Sequence, residues 1–204
     1  MIDFFIKGGV FMYPILLCSV AALAIFLERL WSLRRSQVLP LDFVKEVEDL
    51  VRREKIPDAT LLCQNNRSSI ARVLLVGIKN FGRRREFIKE NLEEVGRQES
   101  NSLEHFVEAL GTIAGISTLL GLLGTISGMI KIFSVISTQT VVNPGSLAGG
   151  ISEALVTTYA GLSVAIPTIV MHKYLQGKTK SLILKMEEHS IRIADFLKEK
   201  ERGS

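Results

Sequence analysis

The chain has 204 residues, 47% of them hydrophobic, and a net charge of +4 from 25 Lys plus Arg against 21 Asp plus Glu. That length allows one domain or two small ones, and Cys18 in an apolar run with Cys63 in a charged region make neither a disulfide framework nor a metal site. The basic excess does not point to nucleic acid, because Lys and Arg fall where membrane topology would put them, and no GxxxxGK(S/T), GxGxxG or HExxH motif is present.

Residues 1–8 precede a first predicted span, residues 9–31. Its first nineteen residues, 9–27, carry no charge. A helix of that length rises about 29 Å, the thickness of a bilayer core. A secretory signal would need a small-residue cleavage site after its core, and Leu33-Arg34-Arg35 follows instead. The run is expected to be retained as a membrane helix. Trp31 falls in the interfacial belt, with Arg29, Arg34 and Arg35 at its edge.

Residues 32–108 change character. They are highly charged, with apolar residues at helical spacing, and read as a helical cytoplasmic domain. Leu41, Val44, Val47, Leu50 and Val51 define one amphipathic helix; Pro57 precedes a second segment over 59–64. A third covers 70–81, with Ile70, Val73, Leu74, Ile78 and Phe81 on one side. Arg83-Arg84-Arg85 opens a polar helix through Phe87, Leu92, Val95 and Leu103. No breaker separates it from the next apolar run, so one long helix, part in water and part in membrane, is predicted.

The second span, residues 109–136, carries one charge, Lys131, and many small residues. Gly111, Gly115, Thr118, Gly121, Thr125 and Gly128 step along one helical face. Such a face lets helices approach closely, or lines a path, or receives a partner helix. Residues 137–147 contain Asn143-Pro144-Gly145 and no charge, a turn between spans. The third span, residues 148–171, is apolar but opens with Glu153 and carries Thr157, Thr158, Gly161 and Pro167. Residues 172–204 read as a polar amphipathic helix, with Leu175, Leu182, Ile183, Met186, Ile193 and Phe196 among its apolar positions. His105, His172 and His189 read as interfacial or solvated.

Charge sets the expected topology. Of the 25 Lys and Arg, 15 lie between Arg29 and Arg97 and 8 lie after His172, while the 137–147 turn holds none. The N-terminus is expected outside, in the periplasm, with the 32–108 domain and the C-terminus in the cytoplasm.

Folding the second and third spans about Val142 puts Thr125, 17 residues before it, level with Thr158, 16 residues after it, near mid-membrane. Thr157 lies one step toward the outside, and Glu153 lies further out on the face of Thr157. The result is a ladder of polar groups entering from the outside. Membrane threonines also bond back to their own helix carbonyls, and a first-turn Glu is favoured by the helix dipole. No Asp, Glu, Lys or Arg lies at mid-depth. Hydroxyls orient water or share a proton but do not titrate near neutral pH. A proton path here would need a carboxylate from another chain.

The motifs Gly121-Leu-Leu-Gly-Thr125-Ile-Ser-Gly-Met129 and Glu153-Ala-Leu-Val-Thr-Thr158-Tyr-Ala-Gly161, running on to Pro167, resemble the MotA/TolQ/ExbB proton-channel family, and ExbB-type chains most. The N-terminal Gly-Gly-x-x-Met-x-Pro14 stretch with Glu28-Arg29 is similar too. The resemblance implies an all-α inner-membrane protein of three transmembrane helices, the second and third extended into the cytoplasm. It implies a homopentamer around the helices of an ExbD-like dimer, whose membrane Asp takes the proton, and a TonB-like protein that passes the work to outer-membrane transporters. Thr125 and Thr158 match the threonines flanking that Asp, and Glu153 matches the family glutamate. Gly121, Gly128, Gly161, Ala154 and Thr118 are expected to face the partner helix. Neither enzymatic activity nor a bound cofactor or metal is expected.

One position departs from the proton-using pattern. Thr157 stands where many such members have a small apolar residue, and a similar Thr-Thr pair occurs in sodium-driven flagellar stators. The coupling ion is read as H⁺ ahead of Na⁺. A TolQ-like envelope motor is the nearest alternative role, and a non-conducting membrane scaffold the alternative from another class.

Overall fold

The computed structural model describes residues 8–138 and 144–199, and every described element is an α-helix. Val142, the expected centre of the 137–147 turn, lies outside the described residues, as do residues 1–7 and 200–204. The elements are α1 (Met12–Ser32), α2 (Arg35–Val38), α3 (Leu41–Arg52), α4 (Ile56–Asn65), α5 (Ser69–Lys79), α6 (Arg85–Thr138) and α7 (Pro144–Glu199). Three of them, α1, α6 and α7, are long and apolar enough to cross a membrane.

The predicted long helix is present: α6 runs 54 residues without interruption, and α7 runs 56. Pro167 sits inside α7. Having no N–H, it leaves the Ser163 carbonyl without its usual helical donor.

The chain divides into two compact units. The first holds residues 1–28 and 107–174, and so the spanning parts of α1, α6 and α7. Only about a quarter of each apolar stretch is buried, at 22%, 22% and 28%. Leu119, Leu122, Ile130, Phe133, Leu155, Ile166 and Val170 turn outward. In water such a surface would not stay dispersed, whereas in lipid it needs no cover.

The second unit holds residues 29–106 and 175–204. It buries Leu33, Leu39, Val44, Val47, Ile70, Leu74 and Ile78 with Leu103, Leu175 and Ile193. Ser68 caps α5, its hydroxyl accepting from the Ala71 amide. The α5 helix ends at Lys79, two residues short of the predicted end, and Gly82 follows at φ +80°. Phe81 therefore leaves the apolar face it was expected to share and is exposed, while Phe43 of α3, not among the predicted core positions, is buried. Charged contacts tie the helices together. Arg72 of α5 donates from two nitrogens to both carboxylate oxygens of Glu99 on α6. The Arg52 guanidinium lies 4.3 Å from the Phe196 ring centroid, joining α3 to α7.

Candidate functional site: the seam between the second and third spans

Glycine sets the distance between α6 and α7. A Cβ added at Gly161 would lie 2.6 Å from the Ser117 carbonyl oxygen and 2.9 Å from the Gly121 Cα. One added at Gly128 would lie 2.8 Å from the Ala154 Cβ, and one at Gly124 only 2.3 Å from the Thr157 Cγ2. At Gly121 and Gly161 the two backbones touch because no side chain stands between them, while Gly124 and Gly128 make room for the Thr157 and Ala154 side chains. Gly121, Gly128, Gly161 and Ala154, expected to face a partner helix, are thus placed inside the chain's own hairpin, all buried. Thr118, the fifth of that set, is exposed.

The pairings fix the register. Gly124 meets Thr157, and Gly128 meets Ala154. Thr125 and Thr158 therefore lie within about two residues of each other in height, or about 3 Å. Their hydroxyls are used differently. Thr125 donates to the Leu122 carbonyl of its own helix at 2.6 Å. Thr158 donates across the seam to the Gly121 carbonyl at 2.9 Å. Thr118 donates to the Ala114 carbonyl at 3.1 Å. Each oxygen keeps lone pairs to offer as an acceptor.

Helical stepping shows which flank these residues occupy. The buried stripe of α6 runs through Ala114, Ser117, Gly121, Gly124 and Gly128, and Thr118 and Thr125 border it on one flank. On α7 the stripe runs through Ala154, Thr157, Gly161 and Ala165, with Thr158 at its border. Because the helices are antiparallel, these borders fall on the same side of the hairpin. The first helix takes the other side, where Met12 and Ile15 pack with Ala160, Leu120 and Val164. The flank with Thr118, Thr125 and Thr158 is half-open or open within the chain.

Glu153 has a partner that sequence reasoning missed: Lys131 Nζ donates to its Oε1 at 2.5 Å. The signal was present, since Lys131 and Glu153 stand equally far from Val142, 142 − 131 = 11 and 153 − 142 = 11. Glu153 also lies against Gly9, where an added Cβ would fall 2.3 Å from Oε1. Thr157 is fully buried, and its hydroxyl lies 2.7 Å from both the Gly8 and the Glu153 carbonyl oxygens. His172 packs its ring over Gly111 near the other end of the seam.

Three spanning-length helices with a polar-edged hairpin define a multi-pass helical membrane protein. The comparisons with known proteins give its family. The model of the MotA/TolQ/ExbB proton channel family matches residues 65–188. The chain is 32% identical over 183 residues to ExbB-like 1 of Synechocystis sp., a protein named for biopolymer transport, covering 86% of this chain and 70% of the relative. It is 26% identical over 184 residues to the biopolymer transport protein exbB1 of Vibrio cholerae, covering 88% and 80%. The Tol-Pal system protein TolQ of Haemophilus influenzae is 30% identical over 121 residues, covering 54% and 53%. This chain belongs to the MotA/TolQ/ExbB proton channel family, whose members work in complexes with partner proteins.

Proposed function

We propose that this chain is the ion-conducting subunit of an inner-membrane motor that couples proton motive force to energised transport across the outer membrane, acting with an ExbD-like and a TonB-like protein. The observation that carries the reading is the hydroxyl-lined flank of the hairpin. Thr118, Thr125 and Thr158 share one side that the chain's own first helix does not cover, and no ionisable residue stands at the depth of the two paired threonines. Such a flank suits a neighbouring single-span helix that brings a carboxylate. The threonines then accept or relay its proton, and the carboxylate supplies the titration that hydroxyls lack. Several copies of the chain, five by family resemblance, surround a dimer of that partner. The Lys and Arg distribution supports an N-terminus in the periplasm, with residues 32–108 and the C-terminus in the cytoplasm.

The transported ion in this reading is H⁺. Replacing Thr158 with Val keeps the shape and removes the hydroxyl. At unchanged expression and assembly, Thr158→Val is expected to lower motor-driven uptake by about a hundredfold, the scale of losing one positioned proton-transfer group. Full activity would leave the chain a membrane scaffold. Activity measured across Na⁺ concentrations at fixed proton motive force tests the ion, and a strict Na⁺ requirement would reverse the choice of H⁺.

A TolQ-type envelope motor is the second reading, favoured by the likeness to the Haemophilus influenzae protein. Deleting the gene separates the two. Loss of transporter-dependent uptake with an intact envelope supports the first role, and envelope leakage with intact uptake supports the second.

A further inference from the structure

The Thr157 hydroxyl is fully enclosed within the hairpin. The residue has no solvent exposure, and its methyl group packs on Gly124. Its oxygen stands 2.7 Å from two carbonyl oxygens. One belongs to Glu153 and is the ordinary bond back to the preceding helical turn. The other belongs to Gly8, which lies 149 residues away in sequence and immediately before the first helix.

The Gly8-Gly9 pair is shaped for that position. Gly9 has φ +67°, in the left-handed region that favours glycine. A Cβ there would fall 2.3 Å from Oε1 of Glu153. A Cβ on Gly8 would collide with the Met12 side chain and come within 3.2 Å of the Val156 Cγ1. The Gly9 carbonyl accepts from the Met12 amide at 3.3 Å, which fixes the loop to the start of α1. The loop therefore lies against Glu153, Val156 and Thr157 of α7.

We infer that Thr157 is a positioning residue: its hydroxyl latches the Gly8-Gly9 loop onto α7 and so holds the loop backbone against the Glu153 carboxylate, and it does not ligate the transported ion. A hydroxyl has one proton, and here two carbonyls compete for it. Oxygens that share a cation repel one another and stand apart, whereas these are at hydrogen-bonding distance. Thr157 also lies inside the seam, while Thr125 and Thr158 edge the open flank. The Thr-Thr pair, which in the sequence kept Na⁺ as the alternative to H⁺, here divides into one residue for the path and one for the latch.

The assignment rests on the proposed ion path only for the role of Thr158. Its test therefore includes a readout that needs no ion flux. Cys18 and Cys63 are replaced by Ala, Val156 by Cys, and the full chain is reconstituted with its partners in nanodiscs. Labelling of the new cysteine by a water-soluble maleimide is then timed. With the latch intact, the loop covers position 156 and labelling is slow. Thr157→Val is expected to speed it about tenfold, the scale of one buried hydrogen bond, and Thr157→Ser to restore the parent rate. Gly9→Ala, which keeps the hydroxyl but displaces the loop, is expected to speed labelling as Thr157→Val does. In the same set, Thr157→Val lowers motor activity while leaving its Na⁺ dependence unchanged. Parent-rate labelling in Thr157→Val or in Gly9→Ala overturns the latch. So does a failure of Ser to restore it, or a changed Na⁺ dependence in Thr157→Val. Full activity in Thr158→Val with accelerated labelling in Thr157→Val removes the ion path and leaves the latch standing.

Discussion

Lys131 and Glu153 close the hairpin from opposite helices, ammonium to carboxylate at 2.5 Å, beside the Gly9 backbone. The two ends of this bridge are not equivalent. The Lys131 side chain is 57% exposed and that of Glu153 only 18%. Coulomb attraction is screened on the lysine side, so the pair contributes about 1 kcal/mol or less to stability. Lys131→Gln is therefore expected to lower the thermal midpoint of the purified protein by a few degrees. Glu153→Gln is expected to have a similar effect on stability but to abolish most motor activity. A double-mutant cycle in the folded protein measures the coupling. Equal loss of activity in both single variants would assign Glu153 to the bridge alone.

The glycines of the seam and those outside it predict opposite signs. Gly161→Ala places a methyl group against the Ser117 carbonyl and the Gly121 backbone. Neither can rotate away, so the helices must part, at a cost of roughly 1–3 kcal/mol. Gly177, also in α7, is exposed and has nothing within 4 Å of its Cβ position. Gly177→Ala is expected to stabilise by about 0.5–1 kcal/mol, the helical disadvantage of glycine. Thermal unfolding of the two variants in one detergent checks both signs.

The Arg72–Glu99 bridge joins α5 to α6 through two parallel hydrogen bonds. Hydrogen bonding to Glu99 is the main cause that raises the Arg72 guanidinium above its ordinary value, against a smaller opposing effect of burial. Glu99 is largely buried, at 13%, and Arg72 half-exposed. Arg72→Ala is expected to destabilise by about 1 kcal/mol, because exposure on the arginine side screens part of a bidentate pair. Arg72→Lys should recover only part of this, since an ammonium cannot reproduce the fork. Denaturant midpoints of the three proteins provide the measurement.

Burial pushes the Cys63 thiol from 9.0 up to about 12. In the folded chain it holds its proton over a range where the unfolded chain loses it. The folded state therefore binds more protons between about pH 9 and 12. Stability from this group is fully present below pH 9 and falls as pH rises, by up to about 1.4 kcal/mol per pH unit. Comparing parent and Cys63→Ala at pH 8 and pH 10 isolates the effect, since the other alkaline groups are common to both. The parent is expected to lose more stability between the two. Maleimide should reach Cys63 only on unfolding.

The helices were legible because their signals are local. Val44, Val47 and Val51 recur at helical spacing and are buried, and the missing breaker between Arg85 and the second span predicted the length of α6. The misplacement of Phe81 has an equally local cause: the period was carried through a chain reversal at Gly82. The seam was harder to read. A stripe of small residues announces a close neighbour but not whether it is the same chain or another. The glycines came out inside the hairpin, while the threonines at its border keep the flank that a partner would use. Lys131 and Glu153 follow from the same folding arithmetic as Thr125 and Thr158, once charged residues are included. The Gly8–Thr157 bond had no such signal, because a backbone carbonyl carries no residue identity.

The bare contact between Gly121 and Gly161 has a mechanical consequence. Packing that depends on side chains can slip from one rotamer to another and let two helices slide. Here no intervening side chain exists to rearrange, and any sliding would drive Cα atoms and carbonyls into one another. The hairpin is a stiff beam. Compliance in a machine built from it must reside at its outer faces, in contacts with neighbours and lipid, and the stroke of such a machine is a displacement of whole hairpins.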